Sequence, residues 1–235
     1  MASPLVGDRY RLKYAYGEDY GTRYFKYGPL REGKPRIKSN VGFFLEESYL
    51  LKIFNVDKKI IVGDEALTYS TNLTSPNLVY PMRDGEIRRG DEKSWVVERE
   101  LTREGLAEFR ESVDKDFEGF YITAALSAIA PDYMYEELLN IHSEIDDENG
   151  VVKAFTIIPQ PLAVAIAEKE LSCIVVESGH GNTQVAPIHS YPIREAVVAL
   201  YRGGAEADVM AAEILKDVGY GDLASDELAV RRFKE

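Results

Sequence analysis

One pattern occurs twice in this chain and restricts what it can fold into. An acidic residue followed by a glycine in a tight turn joins two strand-forming runs, first at Asp19, Tyr20, Gly21 and Thr22, then from Glu177 through Ser178, Gly179, His180 and Gly181 to Asn182. Two β-rich runs around a Gly-bearing turn read as a hairpin. Such a turn can present backbone N–H groups in a concavity that suits phosphate oxygens, and glycine is needed where a side chain would block the approach. A carboxylate beside it can hold Mg²⁺ through water, because Mg²⁺ keeps much of its hydration. Two such hairpins facing each other would clamp a polyphosphate from both sides. Two ordinary β-turns are the plainer alternative, since glycine and acidic residues are common in turns.

The segments around the turns alternate in type. The first third reads mainly as strands: 10–16, 22–27, 41–45, 49–56 and 59–62. Leu101, Leu106, Phe109 and Val113 give a helical period over 98–113. A strand over 120–126 follows, then a helix opened by Pro131 and Asp132 and running to about His142, then an acidic turn over 146–150. Next come a strand (153–158), a helix (160–168), a buried strand (172–176) and a strand (183–188). From about residue 201 the chain is mostly helical, with Gly203 and Gly204 before the first helix and Gly219 as its C-cap. This order predicts an α/β fold with mixed sheets flanked by helices.

Composition narrows the chemistry. The 235 residues carry a formal net charge of −12, so the surface repels polyanions and sequence-independent nucleic-acid binding is not expected. A nucleotide can still bind an acidic protein if its phosphates meet backbone N–H groups and a metal ion. The single cysteine, Cys173, allows no internal disulfide and no multi-cysteine metal site, and its apolar strand predicts a buried small hydrophobe. The longest largely apolar run, 154–167, is too short to span a bilayer and is broken by Pro159, Gln160 and Pro161. The N-terminus has neither a basic region nor an apolar core of signal-peptide length. A cytoplasmic location is the default expectation. Few glutamines (Gln160 and Gln184), one cysteine and many glutamates hint at a thermophilic source.

From Asp19 to Glu235 the chain resembles actin and the actin-like ATPases. The segment 19–26, from Asp19 to Lys26, is similar to the family's first phosphate motif, and 173–188 to its second. The segment 62–66 resembles the stretch after the small, filament-facing subdomain. Residues 80–87 resemble the family's Tyr-Pro-Ile-x-x-Gly-x-Ile stretch. The segment 157–163 resembles the one carrying the water-positioning glutamine, and 213–220 and 232–235 match actin-like helices. The divergent spacing and the composition place it nearest the archaeal, crenactin-like branch. The resemblance implies an actin-like ATPase (RNase H-like) fold, with two lobes around a nucleotide cleft. Residues 1–158 would be the first lobe, with a small β-rich subdomain at about 38–65. Residues 159–235 would begin a second lobe whose remainder, including the adenosine-binding Gly-Gly motif, lies beyond Glu235, so the sequence reads as the N-terminal part of a longer protein.

The same resemblance implies residue roles. Asp19 and Glu177 would hold Mg²⁺, through water. Gly21, Thr22, Gly179 and Gly181 would cradle phosphates, with Tyr20, Ser178, His180 and Asn182 in the same turns. Lys26 would neutralise a phosphate and Gln160 would position the attacking water, with Glu177 as the second catalytic side chain. Gly203 and Gly204 would approach the nucleotide, and Lys234 and Glu235 its adenine and ribose. The sequence departs from the family pattern at Glu177, where the motif has Asp, and at Gln184, where many members carry His. The loop between Leu45 and Lys58 is short for the filament-contact loop. The implied function is a cytoplasmic, cytoskeletal ATPase that binds ATP/ADP with Mg²⁺ and self-associates into filaments. An actin-related scaffold subunit with little hydrolysis is the alternative, and a sugar or acetate kinase on the same fold the third reading.

Overall fold

The computed structural model describes residues 6–45, 59–69 and 76–234. The chain opens with helix α1 (Val6–Lys13) and the hairpin strands β1 (Ala15–Tyr20) and β2 (Tyr24–Pro29). The strand expected over 10–16 is therefore a helix for most of its length. Tyr14 N–H closes the last turn on Tyr10 O, and the two rings lie 4.6 Å apart, an i,i+4 contact that an alternating strand would not make. Next come β3 (Arg36–Ser39), β4 (Gly42–Phe44), β5 (Ile60–Val62), α2 (Asp64–Tyr69) and β6 (Leu78–Val79). The strand expected over 49–56 and the loop between Leu45 and Lys58 lie outside the described residues.

Helix α3 (Glu92–Arg110) starts at Asp91, whose carboxylate accepts the Ser94 N–H at 3.2 Å. Then follow β7 (Phe120–Leu126), α4 (Asp132–Asn149) and β8 (Val152–Pro159). The acidic turn expected over 146–150 is mostly helix. Ile145 continues the buried stripe of Leu138 and Ile141, and α4 ends only at Gly150, in the left-handed region at φ 58°.

These strands form a five-stranded sheet in the order β3-β2-β1-β7-β8. The hairpin side is antiparallel, and β1, β7 and β8 run parallel. Its core joins Tyr16, Phe25 and Tyr27 of the hairpin to Leu101, Leu106 and Phe109 of α3 and to Leu138 and Ile141 of α4. A separate small core (Val41, Ile61, Ala66 and Leu78) lies with the three-stranded sheet β5-β4-β6.

Helix α5 (Gln160–Glu168) follows β8 without a loop, with Pro161 in its first turn. Strands β9 (Ser172–Ser178) and β10 (Thr183–His189) make the second hairpin, and β11 (Tyr191–Pro192) and β12 (Val198–Leu200) pair with opposite ends of β10. The core here is Ala165 of α5 with Val175, Ala186 and Ile188. The strand expected to be buried is covered on one face only: Ile174 and Val176 are 68% and 66% exposed. Cys173 is half-buried, its thiol donating to Glu170 O at 3.1 Å, and is not the buried hydrophobe expected. Helices α6 (Gly204–Asp217), α7 (Gly221–Ala224) and α8 (Glu227–Lys234) close the described chain, and Ala211, Leu215 and Val230 pack together. The observed architecture is thus a mixed α/β one. No helix among the described residues is long and apolar enough to cross a membrane.

Candidate functional site

The two glycine turns face each other. A cavity of about 110 Å³ is lined by Asp19, Gly21, Thr22 and Lys26 from the first hairpin, and by Glu177, Gly179, Gly181 and Asn182 from the second. Contact between the turns is close: a Cβ placed on Gly181 would lie 2.6 Å from Thr22 Oγ1 and 2.8 Å from the Asp84 Cα. Only glycine allows that approach.

Asp19 stands opposite Lys26 in the β1–β2 register, and Lys26 Nζ donates to Asp19 Oδ2 at 2.7 Å. Gln160 reaches the same carboxylate from the first residue of α5, its Nε2 donating to Asp19 Oδ1 at 2.6 Å. The abrupt β8–α5 junction is what aims this side chain into the cavity. Glu177 lies across from this trio. Its Oε2 is buried without a hydrogen-bond partner. Burial pushes the Glu177 carboxyl above its ordinary range, the Asp19 charge adds to this, and Lys26 opposes it.

Several residues of the turns have other duties. Tyr20 points away from the cavity, its hydroxyl donating to Glu18 Oε2 and accepting from the Thr102 hydroxyl, so only its backbone borders the site. The Gly21 and Gly179 N–H groups close their own turns on Tyr24 O (3.2 Å) and Asn182 O (2.9 Å) and are not the groups directed at a ligand. Thr22 Oγ1 accepts the Gly85 N–H at 3.0 Å, leaving its hydroxyl proton for another acceptor. Ser178 bonds Thr183 Oγ1 at 2.8 Å and does not line the cavity.

Gly203 and Gly204 sit behind the second turn. Gly204 N–H donates to Gly179 O at 3.0 Å, and a Cβ on Gly203 would meet Gly179 O at 2.5 Å. They brace the turn and do not reach into the cavity. Lys234 lines no cavity described here; it pairs with Asp208 at 2.6 Å and reaches Gly204 O at 3.5 Å. Glu235 lies outside the described residues.

A third turn enters the site and carries no expected role. Asp84 (φ 55°) and Gly85 (φ 82°) form a tight reversal between Arg83 and Glu86. Asn182 Nδ2 donates to Asp84 O at 2.7 Å. Gln184, opposite Glu177 in the β9–β10 register, accepts the Ala128 N–H at 2.8 Å and donates to Asn182 Oδ1 at 3.2 Å. These bonds tie the second hairpin to the end of β7 and to the Asp84 turn. A wider cavity of about 680 Å³ shares Thr22, Arg23, His180 and Gly181, and continues to Tyr80, Met82 and Tyr201.

Among the described residues no group of three or more His, Cys, Asp or Glu side chains is arranged to hold a metal ion by itself. Asp19 and Glu177 are two carboxylates with one unpartnered buried oxygen between them. That donor set fits Mg²⁺, which is commonly held by one or two carboxylates together with substrate phosphates and water. No family model matches the sequence.

Proposed function

We propose that this chain is an actin-like ATPase that binds ATP with Mg²⁺ between its two hairpin turns and self-associates into filaments. One observation carries the reading. Two acid–glycine hairpins on separate sheets, 158 positions apart at Asp19 and Glu177, converge on one cavity that Gln160 also lines, bonded to Asp19. The phosphates would take the small cavity. The nucleoside would take the wider one, where Tyr80, Met82 and Tyr201 offer apolar and aromatic surface. Asp19 and Glu177 would hold the metal ion's waters, and Mg²⁺ when bound supplies charge neutralisation at the phosphates. Gln160, neutral and both donor and acceptor, would orient the attacking water while anchored on Asp19. Lys26 would counter phosphate charge from its place against Asp19. Catalysis of this kind rests on alignment and electrostatics. The first lobe would comprise residues 1–158 with the small three-stranded sheet as its subdomain, and residues from 159 would begin the second.

Two variants test the roles. Gln160→Ala should slow single-turnover hydrolysis on the order of 10²-fold while leaving MgATP affinity nearly unchanged. Lys26→Ala should weaken MgATP binding instead. Equal loss of affinity in both, with turnover of bound ATP untouched, would overturn the assignment. Light scattering with MgATP tests assembly.

Glu177 and Gln184 favour the second reading, a scaffold subunit with little hydrolysis. Glu177 is one methylene longer than the family's Asp, and Gln184, at the cavity wall, spends its amide on Ala128 and Asn182. Glu177→Asp separates the two. A faster rate shows that the longer carboxylate limits turnover, and an unchanged or lower rate shows a site built around it.

A further inference from the structure

Beneath the first turn lies a set of buried polar groups that the chemistry above does not use. Asn40 is 1% exposed and grips the turn twice. Its backbone N–H donates to Arg23 O at 2.8 Å, and its Nδ2 donates to Gly21 O at 2.9 Å. The same Nδ2 donates to Glu98 Oε1 at 2.9 Å. Glu98 lies inside α3, fully buried, and its Oε2 has no partner. The titratable groups around it are Glu18 and Tyr20 on β1 and, beyond Glu18, His142 on α4. Glu18 Oε2 meets His142 Nε2 at 2.8 Å and the Tyr20 hydroxyl at 3.1 Å.

We propose that Glu98 is a positioning residue for the first turn: acting through Asn40, its gain or loss of a proton sets how firmly the Gly21 and Arg23 carbonyls are held, and so couples the turn to pH from inside the core. The Gly21 carbonyl needs a donor, which fixes the Asn40 amide with its nitrogen toward the turn. The second N–H must then meet Glu98. An ionised carboxylate accepts a stronger bond than a neutral acid, so the turn is held most firmly once Glu98 has lost its proton. Burial pushes Glu98 up to about 7; the Asn40 bond opposes this and the Glu18 charge adds to it. Global stability moves the other way. Between the ordinary carboxyl value of 4.5 and about 7 the folded chain keeps a proton that the unfolded chain has released, so stability falls as pH rises through that window and is level above it. The consequence for phosphate binding rests on the ATPase reading; the coupling itself does not.

The test is a ¹H–¹⁵N NMR titration of the full chain between about pH 5.5 and 8.5. The Asn40 side-chain amide and the backbone amides of Gly21, Thr22 and Arg23 should shift together with a midpoint near 7. Glu98→Gln keeps an acceptor for Asn40 and should abolish that titration. Asn40→Ala should uncouple the turn amides from it. Static resonances in the wild type, or the same midpoint in Glu98→Gln, would overturn the proposal; if the variants do not fold, the wild-type Glu98 side-chain carboxyl ¹³C resonance decides, since it must share the midpoint of the turn amides, whereas a midpoint shared only with the His142 ring would overturn the proposal. Adding MgATP to the same samples separates the two claims. A pH-coupled turn that MgATP leaves unmoved would sink the ATPase reading and leave the coupling standing.

Discussion

In the first hairpin Asp19 faces Lys26 across the strands; in the second, the equivalent Glu177 faces Gln184. The plan is otherwise shared. In each, the glycine two residues after the acid closes the turn through its N–H, Gly21 on Tyr24 O and Gly179 on Asn182 O. The difference lies in what the acid is given. Lys26 donates to one oxygen of Asp19 and Gln160 to the other. Gln184, which also lines the cavity, bonds Ala128 and Asn182, and Glu177 keeps a buried oxygen without a partner. The foundations differ too. The first turn rests on Asn40 and Glu98 within the largest core, whereas the second stands on a sheet with a small core and an open face. The first turn is therefore organised from beneath, and the second from across the cavity and from Gly203 and Gly204 behind it.

Gly181→Ala should break that arrangement most severely. Its new Cβ would meet Thr22 Oγ1 and the backbone of Asp84, which cannot move without parting the two turns. A loss of about 1–3 kcal/mol in stability and at least a tenfold loss in MgATP affinity are expected, by chemical denaturation and calorimetry. Gly17→Ala, on β1 with nothing within 4 Å of the new atom, is the control and should be neutral or slightly stabilising. Gln184→Ala should have a smaller effect on MgATP affinity. It leaves the Ala128 N–H without its acceptor, at a cost of about 1–3 kcal/mol, while the first turn keeps its own support. Amide exchange should rise in the Glu177–Asn182 turn and stay unchanged at Gly21–Arg23. A uniform rise in both turns would show that they are not supported separately.

Each acid–glycine hairpin was legible in the sequence because it is a local pattern, and so was the helix starting at Gln160; that the two turns converge was expected only through the resemblance. Strand parity could also have corrected two assignments. Successive side chains on a strand point to opposite faces, so an acid aimed at the cavity sends its neighbour away, as Tyr20 and Ser178 show. The same register places Gln184 opposite Glu177. The Asp84–Gly85 dipeptide signals a tight reversal, but its place between the two hairpins depends on contacts with Thr22 and Asn182 that no local pattern carries. The buried set of Glu18, Glu98 and His142 was illegible for the opposite reason. Charged residues inside an amphipathic period read as solvent-facing, and only packing against Asn40 and β1 shows otherwise.

The smallest expected effect probes the open face of the second sheet. Ile174 and Val176 on β9, with Val198 and Leu200 on β12, are all more than half exposed, and β10 joins the two strands through the pairs Val176 with Val185 and Val185 with Val198. Val175, between the two β9 residues, points the other way into the Ala165 core. Ile174→Thr keeps a β-branched strand former and removes only apolar surface that is already wet. Its effect on stability should stay within about 0.5 kcal/mol. Val175→Thr places a hydroxyl in the core beside Ala186 and Ile188 and should cost about 1–3 kcal/mol. Paired denaturant titrations at two protein concentrations compare them directly. If Ile174→Thr costs as much as Val175→Thr, and more so at the higher concentration, this face is covered in solution by another copy of the chain. The second hairpin would then have support from beneath after all, and the contrast with the first would narrow to the unpartnered oxygen of Glu177.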